Sequence, residues 1–130
     1  MNTNDEFFIE ITNKLLNYID HQDWEGYLSL VDENLSCIEP ETENKLMLGL
    51  DFHKKIFEEC KLNINITFTS TLENPHVKIF GNSALITYER ILVIDDPKFE
   101  SISVRKLGES RIWNFIEKTN SWKMVHFHKS

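Results

Sequence analysis

Two histidines stand two residues apart near the end of the 130-residue chain, in the segment SWKMVHFHKS. On a β-strand, His126 and His128 project from one face together with Trp122 and Met124. Two imidazoles at this spacing can contribute to a metal site, but a catalytic zinc site needs a third protein ligand. The other three histidines show no HExxH or similar spacing. We therefore predict no metal and no cofactor, and we interpret the two histidines as interface or surface residues.

Three cationic side chains fall on apolar strand faces in the second half of the chain. Arg90 shares its face with Tyr88, and Arg111 shares its face with Trp113. Lys129 lies on the last strand. A buried charge is costly unless it is paired. Two interpretations are open: a pocket that binds a small carboxylate, which arginine does with two parallel hydrogen bonds, or internal ion pairs with Glu39, Glu89 or Glu109.

His53 lies on the apolar stripe of a predicted helix, so it should face the sheet. It is either a core histidine with a satisfied hydrogen bond or a donor that lines the pocket. The sequence contains no GxSxG, P-loop, GxGxxG or CxxC motif. We therefore predict no catalytic residue.

The elements that must position these groups change type near the middle of the chain. Asn4 and Asp23 can each cap a helix, and the first helix shows an apolar face with Phe8, Ile11, Leu15 and Ile19. The segment LSCIEP predicts a short strand, and a third helix is predicted over 44–60. From Ile64 the apolar period becomes two, with a tight turn at Gly81-Asn82. Helices segregated from a long antiparallel sheet predict an α+β fold in one domain, 1–130.

Composition excludes several classes of protein. A net charge of −7, from 14 basic and 21 acidic residues, argues against nucleic-acid binding, because that affinity depends on neutralising phosphates. The sequence shows no apolar stretch of membrane-spanning length and no signal peptide. The two cysteines, Cys37 and Cys60, form no CxxC pair. We predict a cytoplasmic protein that binds neither membrane nor nucleic acid.

Four segments together resemble the association (hub) domain of calcium/calmodulin-dependent protein kinase II. They are DWEGYLSLVDENLSCIEPE, GLDFHKKIFE, NPHVKIFGNSALITYERI, and ESRIWNF followed by SWKMVHFH. The resemblance implies a cone of the NTF2-like and SnoaL-like superfamily, with N-terminal helices on a strongly curved, mainly antiparallel sheet. It also implies a homo-oligomer, built from dimers into a two-tiered ring of twelve or fourteen subunits. The interface residues expected in this assembly are Trp122, Met124, His126 and His128.

The resemblance further implies a pocket lined by arginines that binds small carboxylates. Two of the family's arginines match Arg90 and Arg111, and its helix histidine matches His53. The third arginine falls on Lys129, which removes one two-pronged donor. The ligand-binding residues expected here are His53, Tyr88, Arg90, Arg111, Trp113 and Lys129.

Two functions from different classes remain after this comparison. The first is a non-catalytic self-association hub with a cationic pocket. The alternative is a small enzyme like SnoaL or ketosteroid isomerase, because one fold can host unrelated activities. Such an isomerase needs a carboxylate base in an apolar cavity. The inward strand faces offer cations and aromatic groups but no evident Asp base, which favours the hub.

Overall fold

The structure is a computed structural model that describes residues 3–63 and 65–130. Ile64, where the sequence predicts that the strands begin, lies outside the described residues. The helices are α1 (Asp5–Asp20), α2 (Trp24–Leu30) and α3 (Asp51–Lys61). The strands are β1 (Val31–Ile38), β2 (Leu46–Leu48), β3 (Thr67–Phe80), β4 (Ser83–Asp95), β5 (Ser103–Ile116) and β6 (Ser121–Lys129). Within the described ranges, no helix is both long and apolar enough to cross a membrane.

The first two helices begin at the predicted caps. Asn4 Oδ1 accepts the backbone N–H of Phe7 at 3.0 Å, and Asp23 Oδ1 accepts that of Gly26 at 2.9 Å. These bonds satisfy donors that the first helical turn leaves unpaired. The predicted apolar face of α1 is confirmed, because its residues are buried or packed against the core: Phe8, Ile11, Leu15 and Ile19.

The six strands form one sheet in the order β2-β1-β6-β5-β4-β3. Neighbouring strands are antiparallel except β1 and β6, which run parallel. Gly81 and Asn82 form the predicted two-residue turn between β3 and β4, and Gly81 has a φ of 57°. The predicted α+β fold is confirmed, with three helices packed on a mixed but mainly antiparallel sheet.

The third helix begins later than the sequence predicts. Helix α3 starts at Asp51, and the residues before it form the edge strand β2. Asn44 and Gly49 have positive φ values, which lie outside the right-handed helical region. The Gly49 N–H donates to the Leu35 carbonyl at 2.7 Å, which ties this segment to β1. The prediction of a helix over 44–50 is therefore wrong.

Strand β6 contains a bulge that changes which side chains face inward. Ile112 on β5 pairs with His126, but the next residue, Trp113, pairs with Met124, so Val125 is an extra residue. Trp122 and Met124 are consequently buried in the core, 6% and 0% exposed. The prediction that these two residues lie at a subunit interface is wrong, since both are enclosed within one subunit.

Candidate functional site

A cavity of about 100 Å³ opens between the helices and the inner face of the sheet. Apolar groups form part of its wall, among them Ile19, Tyr27, Phe57 and Phe127. The charged or titratable groups of the wall are Glu39, Glu41, His53, Arg90, Arg111 and Lys129. Four of the six predicted ligand-binding residues therefore lie together: His53, Arg90, Arg111 and Lys129.

Arg90 is held by three internal partners. Its Nε donates to Ser70 Oγ at 2.8 Å, one terminal nitrogen contacts Asp20 Oδ1 at 3.0 Å, and the other contacts Glu109 Oε2 at 3.2 Å. The Arg90 side chain is 5% exposed, and those of Asp20 and Glu109 are 6% and 0% exposed. Each nitrogen of this arginine already has an acceptor inside the subunit.

Arg111 is satisfied in the same way. Its nitrogens donate to Tyr88 Oη at 2.7 Å, to Glu109 Oε1 at 3.1 Å and to Met124 Sδ at 3.0 Å. The guanidinium carbon also lies 4.7 Å from the centre of the Phe127 ring. Burial alone would lower the pKa of Arg111, but the Tyr88 and Glu109 oxygens raise it, so the side chain stays charged.

Glu109 connects the two arginines. Tyr88 Oη donates to Glu109 Oε1 at 2.6 Å, and the carboxylate has no exposed surface. Burial opposes its ionisation, but the charges of Arg111 and Arg90 lower the pKa of Glu109 below its usual value. Burial raises the pKa of Tyr88, so the phenol keeps its proton as a donor. The result is one buried network with two cations on a single carboxylate.

Lys129 lies at the rim of the cavity. Its Nζ contacts Glu41 Oε1 at 2.8 Å and Glu39 Oε1 at 3.4 Å. The side chain is 14% exposed, whereas that of Glu41 is 44% exposed. This pair is the part of the charged wall that solvent reaches most readily.

His53 and Cys37 converge on the other oxygen of Glu39. His53 Nε2 lies 2.7 Å from Glu39 Oε2, and Cys37 Sγ lies 3.4 Å from the same oxygen. Burial opposes ionisation of Glu39, but the His53 hydrogen bond and the Lys129 charge lower its pKa to about 2. Burial and the nearby Glu39 charge raise the pKa of the Cys37 thiol to about 12.

Every cation of the cavity wall is paired with an internal carboxylate. Three cations, Arg90, Arg111 and Lys129, meet four carboxylates, those of Asp20, Glu39, Glu41 and Glu109. Each of the three cations has at least one carboxylate within 3.2 Å. Of the two interpretations that the sequence left open, the contacts favour internal ion pairs. Two of the predicted partners, Glu39 and Glu109, serve this role, whereas Glu89 instead pairs with Lys106 on the surface.

Two predicted ligand-binding residues lie away from the cavity wall. Tyr88 stands behind the wall, between Arg111 and Glu109. Trp113 is fully buried on another side of the core, where its Nε1 donates to Thr12 Oγ1 at 3.1 Å. The prediction that Trp113 lines the pocket is therefore wrong, because α1 covers the indole.

The sequence interpretation missed Asp20, Cys37 and Glu41 as members of the site. Asp20 is the last residue of α1 and reaches across to Arg90. Cys37 and Glu41 flank Glu39 in the segment CIEPE, where Pro40 ends β1. An acidic residue next to the proline that ends an inner strand is a signal that could have pointed to this cluster.

The opposite, outer face of the sheet has a different character. The strand register places one row of side chains across five strands: Leu48, Ser36, His126, Ile112 and Leu85. A second row runs beside it: Leu46, Ile38, His128, Ser110 and Thr87. Leu46 and Leu48 are 60% and 69% exposed, and Ile112 is only partly covered. We call these two rows the outer face.

Comparison with protein families identifies the relatives of this chain. The profile of the calcium/calmodulin-dependent protein kinase II association domain matches residues 4–130. The alpha chain of that kinase from Drosophila melanogaster is 34% identical over 123 residues, which are 94% of this chain. The chain spans only 23% of the length of that relative.

Solved structures agree with this similarity. The hub of the same kinase from S. rosetta superimposes with a TM-score of 0.86 and 30% identity, covering 100% of this chain and 98% of the hub. An NTF2-like protein from Cytophaga hutchinsonii has a TM-score of 0.79 over 100% of this chain and 98% of its own. At 14% identity, the second likeness concerns the fold alone.

Proposed function

The chain belongs to the calcium/calmodulin-dependent protein kinase II association-domain family, and from this premise we propose that it is a non-catalytic self-association module. Copies of the chain assemble through dimers into a closed homo-oligomer, which is a two-tiered ring of twelve or fourteen subunits. The outer face is the observation that carries the proposal. It presents apolar side chains that one subunit leaves partly or largely exposed.

The outer face suits contact with a second copy of itself. Strands β1 and β6 carry Ile38, His126 and His128 at its centre, and Leu46 and Leu48 extend it to the sheet edge. A dimer with two-fold symmetry brings the same patch of both subunits together, so a continuous face of this kind is what it needs. His126 and His128, unlike Trp122 and Met124, keep the interface role that the sequence assigned to them.

The mass of the assembly in solution tests the proposal. Twelve copies of the 15.4 kDa chain weigh about 185 kDa and fourteen weigh about 216 kDa, and a closed ring keeps that mass over a wide concentration range. Native mass spectrometry and light scattering measure it directly. A monomer at all micromolar concentrations would contradict self-association, and a dimer alone would contradict the ring.

A charge placed in the outer face sharpens the test. We expect Ile112→Lys to convert the ring to smaller species, because a desolvated lysine on each side of a two-fold contact repels its copy. Leu62→Lys is the matched control, since Leu62 is 83% exposed, follows the end of α3 and does not belong to the outer face. Equal masses for the two variants would contradict the placement of the interface, provided circular dichroism shows both folded.

Binding of a small carboxylate in the cavity is a second candidate, favoured by one observation. Lys129 and both arginines line the same open cavity. Because Asp20 and Glu109 already occupy the arginines, we propose that a ligand carboxylate replaces Glu41, the exposed acid on Lys129. Calorimetry with butyrate should then show binding that Lys129→Ala abolishes and that Lys45→Ala, an exposed control, leaves unchanged. Equal binding by both variants would contradict this placement.

The alternative of an isomerase-like enzyme has no supporting observation in the cavity. A general base acts best with a pKa near the working pH. Glu39 is buried in the cavity wall and, among the described residues, pairs with His53 and Lys129 and with no arginine. The hydrogen bond from His53 and the charge of Lys129 hold its pKa at about 2. A carboxylate with that pKa is a weak base, so the charge arrangement favours the non-catalytic function.

A further inference from the structure

Three different metal-binding groups meet beside the cavity. Cys37 Sγ, Glu39 Oε2 and His53 Nε2 lie within 4.8 Å of one another, and all three residues are buried. The Sγ–Oε2 distance is 3.4 Å, the Sγ–Nε2 distance is 3.8 Å and the Nε2–Oε2 distance is 2.7 Å. These residues come from β1, from the link after it and from the first turn of α3. The tertiary fold, and no sequence motif, brings them together.

The spacing of the three atoms is close to that of a tetrahedral zinc site. With zinc–ligand bonds of about 2.0–2.3 Å, tetrahedral donor atoms stand roughly 3.3–3.6 Å apart. The two distances that involve Cys37 Sγ are already near this range. Only Nε2 and Oε2 must separate, by roughly half an ångström, because a hydrogen bond now joins them.

Hydrogens occupy the place that an ion would take. A carboxylate oxygen is an acceptor only, so both the Cys37 thiol and His53 Nε2 donate toward Glu39 Oε2. The other ring nitrogen of His53, Nδ1, is buried and has no hydrogen-bond partner in the described part of the chain. In the neutral imidazole Nδ1 carries no hydrogen while Nε2 donates, so Nδ1 can accept the imidazole proton when Nε2 binds an ion.

The local backbone and ring contacts hold these side chains in place. Glu39 is fixed at the start of a short 3₁₀ turn, where Thr42 Oγ1 accepts its N–H and donates to its carbonyl. The His53 ring lies against Phe127, with 5.5 Å between ring centres, and against Phe52 at 5.6 Å. A binding site gains affinity when its ligands are held in position before binding.

We propose that Cys37, Glu39 and His53 bind a zinc ion. Cys37 binds as a thiolate and releases its proton to solvent, while His53 binds through Nε2 and carries its hydrogen on Nδ1. The ion adds two positive charges and one proton leaves, so the bound cluster of Zn²⁺, thiolate and carboxylate is neutral. Thiolate and imidazole favour zinc over magnesium or calcium.

The cavity supplies the fourth ligand and the path of entry. Glu39 and His53 both line it, so water can complete the tetrahedron from that side. Lys129 Nζ lies 3.4 Å from Glu39 Oε1, and Glu41 at 2.8 Å still compensates the lysine charge when Glu39 binds the ion. The proposal is independent of self-association and can hold whatever the size of the assembly.

Cobalt titration of the full chain tests the site, because a cobalt–thiolate bond gives a charge-transfer absorption in the near ultraviolet. We expect saturation at one Co²⁺ per chain, displacement by one equivalent of Zn²⁺, and loss of the absorption in Cys37→Ser. Cys60→Ser is the matched control, since Cys60 is the other free cysteine and lies on α3 outside the cluster. It should keep the full absorption.

Loss of another ligand provides an independent readout. His53→Gln should weaken Zn²⁺ binding, measured by competition with a chromogenic chelator, at least about tenfold. If Cys37→Ser does not fold by circular dichroism, the His53→Gln result and the absorption in Cys60→Ser decide. The proposal is overturned if excess Co²⁺ gives no thiolate absorption, if Cys60→Ser loses it, or if His53→Gln binds Zn²⁺ like the parent.

Discussion

Arg111 and Ile112 are neighbours in β5, yet the first belongs to the cavity and the second to the outer face. Arg111 is 2% exposed, and every nitrogen of its guanidinium has an acceptor within the subunit. Ile112 is an apolar residue that the subunit covers only in part. On the inner side the arginine charges are thus paired within a single chain, whereas the outer side leaves apolar side chains exposed. Changes inside should therefore act on folding, and changes outside should act on assembly.

Removal of Glu109 should give the largest loss of stability. Glu109→Ala leaves Arg90 and Arg111 buried with less compensation and removes the acceptor of Tyr88. Breaking a buried ion pair costs about 3–5 kcal/mol, so we expect the free energy of unfolding to fall by at least that amount. Urea denaturation at fixed protein concentration measures it.

The matched control for Glu109 is a surface glutamate with a similar partner. Glu89 pairs with Lys106 at 2.9 Å, but both side chains are well exposed. Glu89→Ala should leave the unfolding transition nearly unchanged, because solvent screens exposed pairs. Equal effects of Glu89→Ala and Glu109→Ala would show that the buried network does not stabilise the subunit.

The division of β6 between the two sides is tested by comparing Met124 with His128. Met124 is fully buried, and Met124→Ala should cost about 2–5 kcal/mol in unfolding free energy, as large-to-small core substitutions do. His128 is exposed on the outer face, so His128→Ala should preserve stability and act on the assembled mass. The opposite pattern would mean that β6 faces the other way and lacks the bulge at Val125.

Acid should weaken the inner network through Glu109. Its pKa is lowered in the folded chain from an ordinary value of 4.5 by Arg111 and Arg90, which outweigh burial. The resulting stabilisation is complete above pH 4.5 and is lost as the pH falls through the lower folded pKa. Urea unfolding across pH 5 to 2.5 should show this loss. In Glu109→Gln the dependence should be shallower, and an unchanged slope would contradict the assignment.

Substitution of Lys129, at the rim of the cavity, should destabilise the subunit less than the loss of Glu109. Lys129 contacts Glu39 and Glu41, and its side chain is 14% exposed. The pair with Glu41, which is 44% exposed, contributes little, but Lys129→Ala also leaves the buried Glu39 with one cationic contact fewer. We therefore expect the unfolding free energy to fall by about 1–3 kcal/mol, less than for Glu109→Ala. A loss as large as that of Glu109→Ala would place Lys129 within the core network.

The sequence was informative wherever local patterns decide the structure. Asn4 and Asp23 cap their helices, and Gly81-Asn82 turns the chain, because each feature depends on neighbours within a few residues. The apolar period predicted a helix where the structure has strand β2. Leu46 has helical spacing but lies exposed on this edge strand. Contacts with β1 decide that segment, and a local window contains no information about them.

The faces of β6 were misassigned for a similar reason. Strict alternation puts Trp122, Met124, His126 and His128 on one side, but the bulge at Val125 reverses the alternation halfway.

The sequence predicted the arginines of the charged site but not all of their partners. Arg90 and Arg111 could be recognised as inward-facing, but their partner Asp20 lies 70 residues from Arg90 in sequence, so spacing could not reveal it.

The central position of β6 bears on how the protein folds during synthesis. Strand β6 comes after all the other strands in the chain, yet it lies between β1 and β5 and is the strand that joins β1–β2 to β3–β5. While the ribosome still holds this segment, the growing chain has two separate groups of strands and two open inner edges. Such edges are sites of wrongful pairing. Productive folding of the sheet therefore waits until β6 has left the ribosome.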